Sequence, residues 1–426
     1  MKKQLLKSTA TMAMVGTSAA IIALAGGAHA AAQSTASAPA DASAELISEK
    51  AAFRIWLDGF RDDAAAAGVS AEVIDATFPT ITLISRVFER DDNQPEFAQS
   101  IWTYLDSAVS QRRIDDGRAR FAANADLLRG VEADYGVDAA TIVAIWGLES
   151  SYGAILGVND TLSALASLAW KSRRAEFFRT QFIGALKIVQ NGYASRRELR
   201  GSWAGAMGQT QFIPTTYLSY AVDRDADGRR DIWSNLGDVF ASTANYLKVS
   251  RFQENGRWGA EVTLPAGFDY ALADGGVTRA VAEWAAADVK TPNGSLVAAY
   301  DPNLRGRLIV PAGARGPAFI VFDNFDAILR YNRSTSYALA VGLLSDRIAG
   351  RGAPLAADWP REDRALTLSE RKRLQEALKV KGFDPGPIDG VIGAGTKRAL
   401  RDWQKSKGLP ADGYASDAVL LQLTAS

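Results

Sequence analysis

Apolar side chains recur at the three- and four-residue spacing of amphipathic helices through roughly the first 250 residues. From Glu45 onward, Phe53, Trp56, Leu57 and Phe60 follow this spacing. The same pattern predicts helices over 96–112, 115–135, 138–149, 160–171 and 174–191, and again over 324–330 and 337–348. We therefore expect a mainly α-helical protein.

Between about residues 256 and 322 the pattern changes to short β-prone runs separated by Gly and Pro. The runs at 261–264, 307–310 and 318–322 predict a small β subdomain inserted into the helical domain. A stretch rich in Gly, Pro and charge then predicts a linker, and a compact unit follows it. The predicted parts are a helical domain at 45–350, a linker at 351–364 and a C-terminal module at 365–426.

The N-terminus has the pattern of a secretory signal peptide. Lys2, Lys3 and Lys7 precede a short apolar run, and residues 28–30 form a small-x-small cleavage site. We predict a signal peptide at 1–30 and a flexible spacer of small and polar residues at 31–44. An uncleaved N-terminal anchor is the alternative interpretation.

Composition excludes several classes of chemistry. The net charge of +0 does not favour nucleic-acid binding. The chain has no cysteine, and its single histidine, His29, lies in the predicted signal peptide. The mature protein would therefore have no Ser-His-Asp triad, no thiolate nucleophile, no His- or Cys-ligated zinc and no lipidated cysteine. Carboxylates remain the main candidates for acid/base work.

Glu149 ends a predicted helix that begins after Asp138, a favourable N-cap residue. Ile142, Ile145 and Trp146 recur with Glu149 at i, i+3, i+4 and i+7, which places the carboxyl group on an apolar face. Burial away from cations raises a carboxyl pKa, and an acid protonated near neutral pH can protonate a glycosidic oxygen. The spacing alone leaves open a structural role, in which Glu149 accepts hydrogen bonds from loop amides.

Residues 200–214 are dense in small side chains and amides. Small residues let a backbone approach a ligand closely. Trp203 and Phe212 could stack on sugar rings, while Gln209 and Gln211 could bind hydroxyl or acetamido groups. A close helix–helix contact is the alternative explanation for so many small residues.

Three segments carry a resemblance to a known family. They are IWGLESSYG at 145–153, GSWAGAMGQTQFIP at 201–214 and YNRSTSYALA at 331–340. In this order and spacing they resemble the membrane-bound lytic transglycosylase B family over roughly residues 45–350. The best-known members of that family are lipoproteins, whereas this chain has no cysteine to acylate.

The resemblance implies a lysozyme-like helical core in which Glu149 is the sole catalytic acid/base, and no cofactor is needed for catalysis. It implies cleavage of the bond between N-acetylmuramic acid and N-acetylglucosamine in peptidoglycan, with a 1,6-anhydro ring closed on the muramic acid. A hydrolytic muramidase and a non-catalytic peptidoglycan-binding scaffold are the alternatives. The family positions that line the substrate site correspond here to Ser202, Gln211, Tyr246, Tyr331, Asn332 and Tyr337.

Asp223, Asp225 and Asp227, followed by Gly228, match the opening of an EF-hand loop. Ser234 stands where such a loop has its closing glutamate. The family resemblance places the closing ligand at Asp238 and a carbonyl ligand at Arg229. We therefore expect a structural Ca²⁺ or another hard cation in the 223–238 loop, with a solvated acidic turn as the alternative.

The C-terminal module contains LQEAL at 374–378, IDGVIG at 388–393, TKRAL at 396–400 and GLPADG at 408–413. These motifs resemble the peptidoglycan-binding domain 1 family, a three-helix module that would tether the enzyme to the wall. The expected partners are peptidoglycan glycan strands, with proteins of cell-wall synthesis as further candidates. We expect a periplasmic protein with no nucleic-acid partner and, after signal cleavage, no membrane anchor.

Overall fold

The computed structural model of the 426-residue chain describes residues 40–92, 99–274 and 276–425. The predicted signal peptide at 1–30 lies outside these ranges, as does the predicted spacer up to residue 39. The first helix begins at Ala40, so residues 40–44 are helical rather than part of a flexible spacer. Within the described ranges, no helix is long and apolar enough to cross a bilayer.

Helices make up most of the described chain, as the periodicity predicts. Their bounds are Ala40–Ala66 (α1), Ala71–Thr77 (α2), Arg86–Asp92 (α3), Ile101–Ala108 (α4), Gln111–Ala123 (α5), Ala125–Tyr135 (α6), Ala139–Ser150 (α7), Thr161–Lys171 (α8), Ala175–Gln190 (α9), Pro214–Tyr220 (α10), Leu236–Val249 (α11), Val281–Ala286 (α12), Leu296–Ala299 (α13), Asp323–Tyr331 (α14), Thr335–Ile348 (α15), Leu368–Val380 (α16), Ala394–Ser406 (α17) and Asp417–Thr424 (α18).

Two of the predicted helices are each broken into two. The segment predicted at 96–112 divides after α4, and α5 begins at Gln111 behind the N-cap residue Ser110. The segment predicted at 115–135 divides at Asn124, where φ is −117° and the side-chain amide donates to the Arg120 carbonyl at 2.8 Å. Asn breaks a helix in this way because its side chain competes for backbone hydrogen bonds.

The strands form one four-stranded sheet and two small ribbons, all antiparallel. Their bounds are Asn159–Asp160 (β1), Arg200–Gly201 (β2), Gly259–Val262 (β3), Thr278–Ala280 (β4), Lys290–Thr291 (β5), Gly294–Ser295 (β6), Arg305–Ile309 (β7) and Ala318–Val321 (β8). The larger sheet has the order β3-β8-β7-β4, and β1-β2 and β5-β6 are the two ribbons. The predicted β runs lie within one or two residues of β3, β7 and β8.

Three hydrophobic cores account for this architecture. The largest lies among the helices and includes most of α7, which packs against α5, α11 and α15. A second core lies under the four-stranded sheet around the fully buried Trp284. The third holds α16, α17 and α18 together around Trp403. The fold is therefore a lysozyme-like helical core with an inserted β subdomain and a C-terminal three-helix module.

The C-terminal module is docked on the β subdomain. Lys397 Nζ lies 2.7 Å from the Asp274 carboxylate, and the Asp412 carboxylate accepts the N–H of Ala314 at 2.8 Å. Residues 351–366 have no regular secondary structure, but Glu261 accepts the backbone N–H groups of Ala356 and Ala357 at 2.8 Å each. The connection is thus held against the larger domain along its length.

Candidate active site

Helix α7 carries the predicted acid at its C-terminal end. Asp138 caps the helix by accepting the N–H of Thr141 at 2.9 Å. The helix ends at Ser150 because Ser151 and Tyr152 adopt left-handed backbone conformations, with φ of 49° and 59°. All twelve residues of α7 are buried, so the predicted distinction between an apolar and a solvated face does not hold.

Glu149 is buried, with 5% of its surface exposed. Its Oε1 accepts a hydrogen bond of 2.6 Å from the Tyr337 hydroxyl on α15. Burial raises the pKa of Glu149 from 4.5 to about 7, and the bond from Tyr337, which favours the carboxylate, opposes that effect. A carboxyl group with this pKa is partly protonated at neutral pH, as the sequence predicts, and can act as a general acid.

Two tyrosines stand side by side at the acid. The rings of Tyr331 and Tyr337 are stacked with their centroids 6.5 Å apart and their planes 8° apart. The Tyr331 hydroxyl donates to the Thr210 carbonyl at 2.7 Å, which ties α14 to the 200–214 segment. Burial and the charge of Glu149 raise the pKa of both tyrosines, so both remain neutral hydrogen-bond donors.

Ser202 and Gln211 lie in the tight loop that includes Thr210, and both are buried. Ser202 Oγ accepts the N–H groups of Ala204 and Ala206 at 3.3 and 3.0 Å. Gln211 has φ of 51° and donates from Nε2 to the Gly208 carbonyl at 2.9 Å. The hydrogen bonds of these two side chains therefore hold the loop together.

Tyr246 and Asn332 contact the end of α14 and the segment that leads into α15. The Tyr246 hydroxyl donates to the Arg330 carbonyl at 2.6 Å, and its ring meets the ring of Tyr331 edge-on at 5.0 Å. Asn332 Oδ1 accepts the N–H of Ser334 at 3.2 Å, just before α15 begins. These contacts fix the two helices that carry Tyr331 and Tyr337.

Two side chains expected to face sugar have structural partners. Gln209 accepts from the indole N–H of Trp146 at 2.7 Å and donates to the Trp233 carbonyl at 2.8 Å, so one donor and one acceptor of its amide are engaged. Phe212 is 2% exposed and packs between Tyr246 and Tyr331. Both side chains thus have packing or hydrogen-bonding roles within the protein, and their binding to sugar stays a prediction.

Sequence reasoning missed Tyr104 on α4. Burial, and then the charge of Glu149, raise the pKa of Tyr104. Tyr104 in turn contributes to the raised pKa of Tyr337. The residue therefore lies within electrostatic reach of Glu149 and Tyr337. The helical pattern of α4 gave no signal for this, because Tyr104 belongs to none of the three recognised motifs.

A groove of about 620 Å³ lies between the catalytic domain and the C-terminal module. It runs from the first turns of α4 and α15, at Ser100 and Thr335, to Arg371 and Lys397 of the C-terminal module.

The acidic loop brings three of its predicted ligands together. One carboxylate oxygen from each of Asp223, Asp225 and Asp227 lies within 4.8 Å of the others. Asp238 is fully buried, and its two oxygens accept the N–H groups of Arg224 and Asp231 at 2.7 Å each. The Arg229 guanidinium lies 3.2 Å from Glu198. Three converging carboxylates suit a hard cation such as Ca²⁺, whereas Asp238 holds the loop backbone.

The chain matches two protein families. Residues 52–346, more than half of the chain, match the transglycosylase SLT domain family. Residues 367–423 match a peptidoglycan binding domain family. The second match falls on the three-helix module, and the first covers the helical core, the β subdomain and Glu149.

Individual relatives agree with these matches. Membrane-bound lytic murein transglycosylase B of Escherichia coli is 32% identical over 58% of this chain and 66% of the relative, just under two thirds of its length. SltB3 from Pseudomonas aeruginosa, solved with NAG-NAM-pentapeptide, is 47% identical with a TM-score of 0.85 over 87% of this chain and 99% of SltB3.

The Escherichia coli lytic transglycosylase SLT35, solved with calcium, is 26% identical with a TM-score of 0.59 over 69% of this chain and 93% of SLT35. All three relatives therefore match more than half of this chain. With the family match over 52–346, they show that this chain belongs to the transglycosylase SLT domain family.

Proposed function

We propose that this protein is a peptidoglycan lytic transglycosylase that uses Glu149 as its single acid/base. The observation that carries the proposal is the buried Glu149 with its pKa raised to about 7. Within the described ranges, Glu149 is the one carboxylate whose charge raises the pKa of Tyr104, Tyr331 and Tyr337. A hydrolase normally needs a second carboxylate, either to activate water or to form a covalent intermediate.

The reaction follows from one carboxyl group acting twice. Protonated Glu149 donates its proton to the oxygen between N-acetylmuramic acid and N-acetylglucosamine as that bond breaks. The acetamido group of the muramic acid stabilises the developing positive charge. Ionised Glu149 then accepts the proton of the C6 hydroxyl, whose oxygen attacks C1 and closes the 1,6-anhydro ring. Exclusion of water favours this closure over hydrolysis.

The six predicted substrate-binding residues divide by location. Tyr331 and Tyr337 stand at the acid and would contact the sugars on either side of the broken bond. Ser202 and Gln211 shape the backbone of the loop next to Thr210, and Tyr246 and Asn332 hold α14 and α15 in place. Their hydrogen-bonding groups suit the hydroxyl and acetamido groups of the glycan.

The 223–238 loop is proposed to hold a structural Ca²⁺. Asp223, Asp225 and Asp227 would supply carboxylate oxygens, with the Arg229 carbonyl and Asp238 as the remaining predicted ligands. The calcium complex of SLT35 is consistent with such a site. The ion would stabilise the loop before α11 and take no part in catalysis.

We further propose export to the periplasm, with 1–30 as the signal peptide, 45–350 as the catalytic domain and 365–426 as a peptidoglycan-binding module joined by the linker at 351–364. The partner of both domains would be the glycan strand of peptidoglycan. Proteins of cell-wall synthesis remain candidate partners, which co-purification from cells would test.

Digestion of purified peptidoglycan followed by mass spectrometry tests the proposed reaction. We expect products lighter by one water than the hydrolytic products, and we expect none from Glu149→Gln, which cannot donate the proton. Products with reducing ends would indicate a muramidase, and the absence of products from the unaltered protein would indicate a binding scaffold. Normal turnover by Glu149→Gln would refute the assignment of the acid.

A further inference from the structure

The linker after the catalytic domain holds helix α4. Arg361 pairs with the Asp106 carboxylate through two hydrogen bonds, of 2.7 and 3.0 Å. The rings of Trp359 and Trp102 lie 6.2 Å apart. Trp102 and Asp106 are four residues apart and therefore share one face of α4. Both contacts of the linker thus fall on the same side of a helix of only two turns.

Tyr104 lies on the opposite side of that helix. A residue two positions from Trp102 and two from Asp106 is rotated about 200° from each, because successive residues of an α-helix are about 100° apart. Tyr104 lies within electrostatic reach of Glu149, Arg113 and Tyr337, and α4 packs against α15, which carries Tyr337. One face of α4 therefore meets the linker, and Tyr104 on the other side lies within electrostatic reach of Glu149.

The linker is itself anchored beyond α4. Arg315 pairs with both Glu362 and Asp363, and the Asp363 side chain is 4% exposed. The ring of Trp359 also lies 6.5 Å from that of Phe319 on β8. Residues 359–363 thus connect α4 to the β subdomain. A short helix held in this way has its distance from α15 set by the linker.

We propose that Trp359 and Arg361 are positioning residues for the active site, which hold α4 against α15, the helix whose Tyr337 donates to Glu149. Tyr104 helps to exclude water from the acid, and the linker keeps it there. The segment between the two domains is therefore part of the catalytic architecture as well as a connection. This inference rests on the proposed transglycosylase activity.

The test compares the full-length chain with Arg361→Ala, Trp359→Ala and Asp106→Asn on purified peptidoglycan, across a range of pH. Loosening α4 admits water to Glu149 and so lowers its pKa, which moves the alkaline limb of kcat to lower pH. A displacement of about one pH unit reduces the protonated fraction at pH 7 from about one half to about one tenth, so kcat falls about fivefold. KM should change less than kcat, because the variants act on the protonation of Glu149 through α4.

A matched control uses Arg364, which pairs with Glu370 inside the C-terminal module. Its side chain is 56% exposed, against 57% for Arg361, and the pair does not touch α4. Arg364→Ala should leave both kcat and the alkaline limb of the kcat–pH profile unchanged. The exchanged pair Asp106→Arg/Arg361→Asp should restore the limb, since it rebuilds the link with the charges reversed.

The outcomes are distinguishable. Catalytic inactivity of the unaltered chain would refute the proposed function, and this inference with it. If the unaltered chain is active while Arg361→Ala, Trp359→Ala and Asp106→Asn all keep its kcat and its pH limb, the inference alone is refuted. Variants that unfold at lower temperature but keep the same pH limb while folded also refute it, because their effect would then be structural only.

Discussion

Tyr337 donates a hydrogen bond of 2.6 Å to Glu149 across 188 positions of the chain. The bond joins α15 to α7 inside the helical core, where both side chains are buried. Burial favours the neutral acid, and the tyrosine hydroxyl favours the carboxylate. The pKa of about 7 is the balance between the two, and it lets one group first donate and then accept a proton.

Tyr337→Phe should move this balance toward the neutral acid. The variant removes the hydroxyl that stabilises the carboxylate, so the pKa of Glu149 rises and the alkaline limb of kcat moves to higher pH, by about one unit or less. We also expect kcat at its optimum to fall about tenfold, because the carboxyl group loses its orienting bond. Measurement of kcat against pH with purified peptidoglycan checks both effects.

Tyr217→Phe is the control for that measurement. Tyr217 is equally buried, and its hydroxyl donates to the Arg230 carbonyl at 2.8 Å, away from the acid. The Tyr217→Phe variant should leave the alkaline limb of the kcat–pH profile unchanged. A limb that moves to lower pH in Tyr337→Phe would contradict the role assigned to the bond.

Glu149→Gln should stabilise the protein at alkaline pH. The pKa of Glu149 is raised on folding, so its contribution to stability is fully present below pH 4.5 and is lost as the pH rises through about 7. The variant carries no ionisable group there and avoids this loss, which is at most about 3 kcal/mol. Unfolding by denaturant should show a gain that is below about 1 kcal/mol at pH 5 and close to its full size at pH 8. Glu376→Gln, on the exposed side of α16, should show no such difference.

Much of the fold followed from periodicity and motifs, since the helix ending at Glu149 and the strands near 307–321 follow local rules. The predicted apolar stripe around Glu149 was uninformative because α7 is buried on every side. The Tyr337 bond depends on the packing of α15 against α7, which no local pattern specifies. The hydrogen-bond partners of Gln209 could not be predicted for the same reason, because Trp146 and Trp233 lie far from it in sequence.

Calcium should stabilise the protein through the acidic loop. Asp223, Asp225 and Asp227 repel one another when ionised, and a bound cation removes that repulsion. A ligand at a hundred times its Kd contributes about 2.7 kcal/mol, so the Tm should rise clearly when Ca²⁺ replaces a chelator. Thermal unfolding with and without Ca²⁺ measures this, and Asp225→Asn should weaken the effect.

The control for the calcium experiment is Asp126→Asn. Asp126 is an exposed carboxylate on α6 that pairs with Arg129 outside the loop. This variant should keep the full calcium effect. If replacement of all three loop aspartates by asparagine leaves the Tm shift unchanged, the ion binds elsewhere and the proposed site is wrong.

Gly157→Ala should damage both stability and activity, and Gly192→Ala separates the two causes. Both glycines have a left-handed backbone, with φ of 89° and 70°, so alanine costs about 1 kcal/mol at either position. An added Cβ at Gly192 meets no atom within 4 Å, whereas at Gly157 it would overlap the Gly201 carbonyl and lie 2.6 Å from the Ser202 nitrogen. That clash displaces the loop that holds Ser202 and Gln211, so Gly157→Ala should lose activity even where it is still folded. Equal losses of Tm and unchanged kcat in both variants would mean that the loop position does not matter for catalysis.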